Sequence, residues 1–226
     1  MKKHTIIPDF ELEKPIWKKG HTVIGIDEVG RGCLAGPIVL GAACFRPLSA
    51  EIQSRIMALG VRDSKQLSER QRTKTAEALQ SFPITTHTVS ISVPTINSVG
   101  IMNAWRSGIV KLFDLCRLDF PDDPFTLLVD GPDVKAIPYK EDVTSIPVIK
   151  GDSKSVAIAS ASIIAKVTRD MFMSALSRRF PAYEWHRNKG YGTKDHRTAI
   201  TDHGITPWHR LLFVRSVLGQ NMANKV

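Results

Sequence analysis

Gly25-Ile26-Asp27-Glu28-Val29-Gly30-Arg31-Gly32 continues the apolar run Thr22-Val23-Ile24 and precedes a second one, Ile38-Val39-Leu40-Gly41-Ala42-Ala43-Cys44-Phe45. Both runs are short and apolar, the first rich in β-branched residues, and they read as buried β-strands. The octet sets two adjacent carboxylates at the end of the first strand, running into a glycine-flanked arginine. Two carboxylates side by side against an apolar strand repel each other and lose hydration, a cost that a divalent cation offsets. Hard cations such as Mg2+ take oxygen ligands and keep several waters, so one or two carboxylates and a substrate phosphate suffice. Gly30 and Gly32 let backbone approach a ligand closely, and Arg31 offers a fork of donors suited to phosphate. The stretch points to metal-assisted chemistry on a phosphate ester. Its parts also have a plainer reading, since an Asp-Glu pair or a Gly-x-Gly triplet by itself is most often a tight, solvated turn.

Strand-like runs fall at about 22–27, 38–45, 84–93, 125–130 and 144–149. A serine-capped helix is predicted over 68–81, and a second over 97–117, where Ile101, Trp105, Ile109, Leu112, Phe113 and Cys116 recur at helical spacing. A long helix is predicted from Ser153 to Phe180, which holds no Pro or Gly and is stopped by Pro181. Shorter helices are expected over 194–203 and 207–217. This order gives an α/β mixed sheet of five strands flanked by helices, with a C-terminal helical extension. One domain is expected: a core over about 20–180, a cap over about 181–217, and tails at 1–19 and 218–226. Asp27 then ends the first strand, Asp130 ends the fourth and Asp152 opens the long helix, so the three can share one rim. Taken alone, Asp130 could simply begin a turn and Asp152 could simply cap a helix. Asp170, 18 residues further on, falls about 27 Å along the helix from Asp152 and is read as a structural partner for an arginine or a backbone group.

The net charge of +9 is unevenly placed: 18 Lys and Arg face 17 Asp and Glu in residues 1–149, but 13 face 5 in residues 150–226. A basic block is commonly a solvated face. Here Lys150, Lys154, Lys166, Arg169, Arg178 and Arg187 are interleaved with Tyr183, Trp185 and Tyr191, a mixture that suits a polyanion with stackable rings, and nucleic acid is the expected partner. Cys33, Cys44 and Cys116 are odd in number and widely spaced, fitting neither a disulfide framework nor zinc knuckles, which suggests a reducing cytoplasm. His186, His196, His203 and His209 lack metal-ligand spacing. Residues 1–11 hold basic residues with no apolar core, and no stretch is apolar enough for a membrane span, so neither secretion nor membrane insertion is expected.

The octet, Asp63-Ser64-Lys65-Gln66-Leu67-Ser68, Leu128-Val129-Asp130-Gly131, Lys150-Gly151-Asp152-Ser153, Ala159 to Asp170, and Lys189-Gly190-Tyr191-Gly192-Thr193 occur in the order found in bacterial ribonuclease HII, the type 2 ribonucleases H. From about Thr22 to Phe213 the chain resembles that family. Type III relatives carry Thr where Arg31 stands and add an N-terminal platform domain that this chain is too short to hold. The resemblance implies a ribonuclease H-like fold and a metal-binding catalytic quartet of Asp27, Glu28, Asp130 and Asp152, with two Mg2+ or Mn2+ ions in the catalytic complex. It further implies incision on the 5' side of a ribonucleotide in a DNA-containing duplex, leaving 3'-hydroxyl and 5'-phosphate ends. Gly30, Arg31 and Gly32 match the readers of the 2'-hydroxyl, and Tyr191 matches the ring that detects the RNA-to-DNA junction, with a plain core aromatic as the competing reading. Ser64, Lys65 and Lys150 are expected to hold backbone phosphates. Where the family usually has Asn after Asp130-Gly131, this chain has Pro132-Asp133. A catalytically silent nucleic-acid binder, a junction resolvase and a type III enzyme remain the other classes. The chain is expected to act as a monomer, and Gln220-Asn221-Met222 is too slight to argue a replication-clamp motif.

Overall fold

The computed structural model describes residues 7–132 and 143–218. The two apolar runs around the octet pair as an antiparallel hairpin, β1 (Thr22–Val29) and β2 (Ile38–Phe45), with Asp27 opposite Gly41 and Glu28 opposite Leu40. β2 continues antiparallel to β3 (Thr85–Ile91), while β1 runs parallel to β4 (Phe125–Asp130) and β4 parallel to β5 (Thr144–Val148). Among the described residues these form one five-stranded sheet, ordered β3-β2-β1-β4-β5. The helices, in chain order, are α1 (Lys14–Trp17), α2 (Ala50–Ala58), α3 (Glu69–Leu79), α4 (Val93–Val99), α5 (Ile101–Asp119), α6 (Val156–Arg179), α7 (Trp185–Asn188), α8 (Lys194–His203) and α9 (Leu211–Leu218).

Strand alternation assigns the two sheet faces. Ile24, Ile26 and Leu40 pack against Trp105, Ile109 and Leu112 of α5. Val23 and Ala43 face the other way, toward α6. On that face Gly25 and Gly41 let the helix sit directly on the sheet, since a Cβ would lie 2.1 Å from the Ala157 carbonyl carbon and 2.4 Å from the Ala161 oxygen, respectively. The small residues of α6 allow the same closeness from the helix side. A further apolar cluster joins Leu34, Met173, Tyr183, Trp185, Ile200 and Val214, tying α7, α8 and α9 to the end of α6. Among the described residues no helix is long and apolar enough to cross a membrane.

Several boundaries differ from the sequence expectation; the helix expected over 207–217, for one, begins only at Leu211 as α9. Ladder pairing continues to Val29, two residues past the expected end at Asp27, so Asp27 and Glu28 both lie inside β1 and point to opposite faces. Gly100, at φ 79, breaks the expected 97–117 helix into α4 and α5. α6 starts at Val156 with Ser155 as its cap. Asp152 precedes that helix, in a 3-10 turn entered through left-handed Lys150 at φ 56. The expected tail 1–19 is partly built in: Phe10, Glu13, Ile16 and Trp17 are buried, Asp9 bridges to Ser155, and Trp17 donates its indole N–H to the Phe45 carbonyl at 3.0 Å. Asp133 and Gln220-Asn221-Met222 lie outside the described residues.

Candidate active site

Asp27 is buried and faces α6, where Ser162 favours its charged form; Ser162 meets Ser64 at 2.9 Å. Its Oδ1 accepts the Glu28 backbone N–H at 2.7 Å. Glu28 faces α5, accepting from the Trp105 indole at 3.0 Å, with the Arg31 guanidinium 3.6 Å away. Asp130 ends β4 and accepts the Gly151 N–H at 2.7 Å, which links it to the turn carrying Asp152. Asp152 lies 3.9 Å from the Lys65 ammonium.

The charges of these groups act on one another. Burial first, then Glu28 and Asp130, push Asp27 well above the usual carboxylate range. Burial also raises Glu28, against the pull of Trp105 and Arg31, with Asp130 adding repulsion. Asp152 is raised by burial, by Asp63 and by Asp130. Lys65 reports the same field with opposite sign: burial pulls its ammonium down, yet Asp63, Asp152, Asp27 and Asp130 hold it above its ordinary value. Four carboxylates from β1, β4 and the turn before α6 thus share one electrostatic neighbourhood.

Among the described residues no three His, Cys, Asp or Glu side chains form a ready-made metal cage. Oxygen-only acceptors that repel one another nevertheless fit a hard divalent cation, which needs only one or two carboxylates beside substrate phosphate and water. The residues present therefore suit such an ion.

A cleft of about 690 Å3 is lined by Asp27, Glu28, Ser64, Lys65, Asp170 and Tyr191, among others. Asp130, Asp152, Lys150 and Gly30-Arg31-Gly32 lie outside that lining. Gly30 is buried at φ 88, and a Cβ there would strike the Arg169 side chain at 2.1 Å; Gly32 is open to solvent. Arg31 stacks on Trp105 at 5.3 Å and Lys150 is exposed. Tyr191 is 39% exposed, with the Arg169 guanidinium 5.9 Å from its ring centre, and burial pushes its phenol up to about 12. Asp170 lines the same cleft despite its distance along the helix from Asp152, and pairs with Arg72 at 3.3 Å and Lys166 at 2.7 Å.

The basic third is not uniformly a surface. Trp185 and Tyr183 are buried in the cap, and Arg169 is buried with its guanidinium donating to the carbonyls of Ala35, Pro37 and Lys189. Arg210, which sequence reasoning missed, donates to the carbonyls of Gly36 and Arg31 and so supports the glycine-arginine loop from below. Arg72, also missed, bonds the Ser64 and Leu67 carbonyls while meeting Asp170, and locks the loop that carries Ser64 and Lys65. No periodicity marks such arginines, because their partners are backbone carbonyls, far away in sequence for Arg210 and in the preceding loop for Arg72.

A family model described as ribonuclease HII matches residues 24–216. A ribonuclease HII of Thermosynechococcus vestitus is 44% identical over 207 residues, spanning 91% of this chain and 90% of that protein. A ribonuclease HII of Synechocystis sp. is 43% identical over 197 residues, 86% of this chain and 97% of that one. Among solved structures, the ribonuclease HII determined in complex with PCNA from Archaeoglobus fulgidus superposes with a TM-score of 0.69 at 26% identity, covering 90% of this chain and 98% of that chain.

Proposed function

The chain belongs to the ribonuclease HII family and is a ribonuclease H, and on that premise we propose that it incises the phosphodiester bond on the 5' side of a ribonucleotide, in RNA/DNA hybrids and at single ribonucleotides within duplex DNA. The observation that carries the site assignment is the convergence of Asp27, Glu28, Asp130 and Asp152: burial raises Asp27, Glu28 and Asp152, Asp130 adds repulsion to each of them, and Asp63, Asp152, Asp27 and Asp130 hold Lys65 above its ordinary value. These four carboxylates would hold Mg2+ or Mn2+. Two such ions, when bound, supply an activated water and stabilise the departing 3'-oxygen.

The protein's own groups do the positioning. Lys65 and Ser64 on the cleft wall, with Lys150 beyond it, hold backbone phosphates without reading sequence. The Gly30-Arg31-Gly32 backbone, braced by Arg169 and Arg210, reads the 2'-hydroxyl, the group that separates RNA from DNA. Tyr191 stacks beside the ribonucleotide and senses the junction with the following deoxyribonucleotide. The products carry 3'-hydroxyl and 5'-phosphate ends, and the protein acts as a cytoplasmic monomer, one domain with a helical cap, in ribonucleotide removal and primer processing. The test is a 5'-labelled DNA duplex with one internal ribonucleotide. A single product ending one nucleotide before it, extendable by a polymerase without end treatment, is expected; cleavage on the 3' side, or a blocked 3' end, overturns the proposal.

A further inference from the structure

The cap contains two histidines that this chemistry does not use. His196 on α8 and His209 just before α9 are fully buried, and their Nε2 atoms stand 3.2 Å apart. Their surroundings fix where each proton sits. The Thr206 backbone N–H donates to His209 Nδ1 at 2.9 Å, so the His209 proton is on Nε2 and is given to His196. The Trp185 indole, a donor only, points at the same His196 Nε2 at 3.0 Å. His196 Nε2 is therefore an acceptor, and its proton lies on Nδ1, which donates to the Tyr191 carbonyl at 2.9 Å. Burial holds both rings neutral, with His209 brought down to about 3 by burial and by its histidine neighbour.

A directed chain of hydrogen bonds thus runs from the 206 loop through both imidazoles to the backbone of Tyr191. The same stretch is pinned elsewhere: the Tyr191 N–H donates to Asn188 at 2.9 Å, and Gly190 sits at φ 83, where a Cβ would lie 2.4 Å from the Ala35 oxygen. The tyrosine ring, which faces the cleft, has its pose set from behind.

We propose that His196 and His209 are positioning residues that hold the Tyr191 ring in the pose that favours a ribonucleotide followed by deoxyribonucleotide over a uniform hybrid. This rests on Tyr191 as the junction-sensing ring. The readout is the ratio of kcat/KM on a single-ribonucleotide duplex to kcat/KM on a uniform RNA/DNA hybrid, in which the amount of folded protein cancels. Tyr191→Ala, His196→Leu and His196→Asn are compared. Asn places an amide donor where Nδ1 stands, whereas Leu removes it. His196→Leu is expected to lower the ratio about tenfold, the order of one buried hydrogen bond, and His196→Asn to restore most of it. A His196→Leu enzyme with the parental ratio, beside a Tyr191→Ala enzyme that has lost it, overturns the proposal. If Tyr191→Ala keeps the ratio, the junction reading of Tyr191 fails instead, and the proposal falls with it. Should the Leu variant not fold, 15N NMR of the unaltered protein decides: protons on His196 Nδ1 and His209 Nε2 support the chain, and a proton on His196 Nε2 refutes it.

Discussion

Glu13 offers a quantitative test of how the N-terminal segment is joined to the start of α6. It is fully buried; its Oε1 accepts from the Ser155 hydroxyl at 2.6 Å and the Ala157 N–H at 3.0 Å, while Oε2 is buried with no partner. Burial raises the carboxyl from 4.5 to about 7 despite those two bonds. Because the folded-state value is the higher one, the folded protein keeps a proton that the unfolded chain releases between pH 4.5 and 7. Stability is therefore greatest below that window and falls as pH rises through it, by about 3 kcal/mol in all. Glu13→Gln keeps the Oε1 acceptor and removes the charge, but leaves an unpartnered amide N–H that costs on the order of 1 kcal/mol at every pH. The variant should be slightly less stable than the parent at pH 4.5 and about 2 kcal/mol more stable at pH 8. Urea unfolding of both proteins across pH 4.5–8.5 in EDTA measures this, and the raised carboxyls of Asp27, Glu28 and Asp152 cancel in the difference. A stability difference that changes by less than about 0.5 kcal/mol between pH 5 and 8, against the linkage expectation, would mean that burial does not raise the Glu13 carboxyl.

Gly25→Ala puts a methyl 2.1 Å from the α6 backbone and should cost more than about 3 kcal/mol in urea unfolding, whereas Gly32→Ala, with nothing within 4 Å, should stay within about 0.5 kcal/mol. Arg72→Met leaves Asp170 with Lys166 alone and frees the Ser64 and Leu67 carbonyls, a loss of about 3 kcal/mol that the double variant with Asp170→Asn should partly recover in the same assay. Asp27→Asn relieves repulsion from Glu28 and Asp130, so in EDTA its thermal midpoint should rise, by on the order of 1 kcal/mol of stability, while nuclease activity is lost.

The sheet was legible because its strands announce themselves as short apolar runs, and β2 and β4 have the bounds read from the sequence alone. Legible too was the convergence of Asp27, Asp130 and the Asp152 region, since strand ends on neighbouring parallel strands share a rim. The opposed facing of Asp27 and Glu28 was missed because a strand boundary two residues too early removes the alternation that decides it. α6 was begun too early because the left-handed Lys150 and the cap at Ser155 leave no trace in apolar periodicity. The aromatic-basic mixture of the C-terminal third looked like one exposed surface, yet Trp185, Tyr183 and Arg169 are interior. Composition counts charges without saying which ones find carbonyls. The His196–His209 pair was hidden for the same reason: the signal is a contact across 13 residues, not a spacing.

In the proposed function the carboxylates gathered at the sheet rim hold the divalent ions that drive hydrolysis at a ribonucleotide. The most direct test is cleavage of a labelled duplex bearing one ribonucleotide, with Mg2+, with Mn2+ and with EDTA, beside an all-DNA duplex and an Asp130→Asn variant that folds normally. Incision 5' to the ribonucleotide is expected, requiring metal, sparing the all-DNA duplex and disappearing in the variant. Tight binding of the duplex with no incision under either metal, or incision that Asp130→Asn leaves unchanged, contradicts the proposed function.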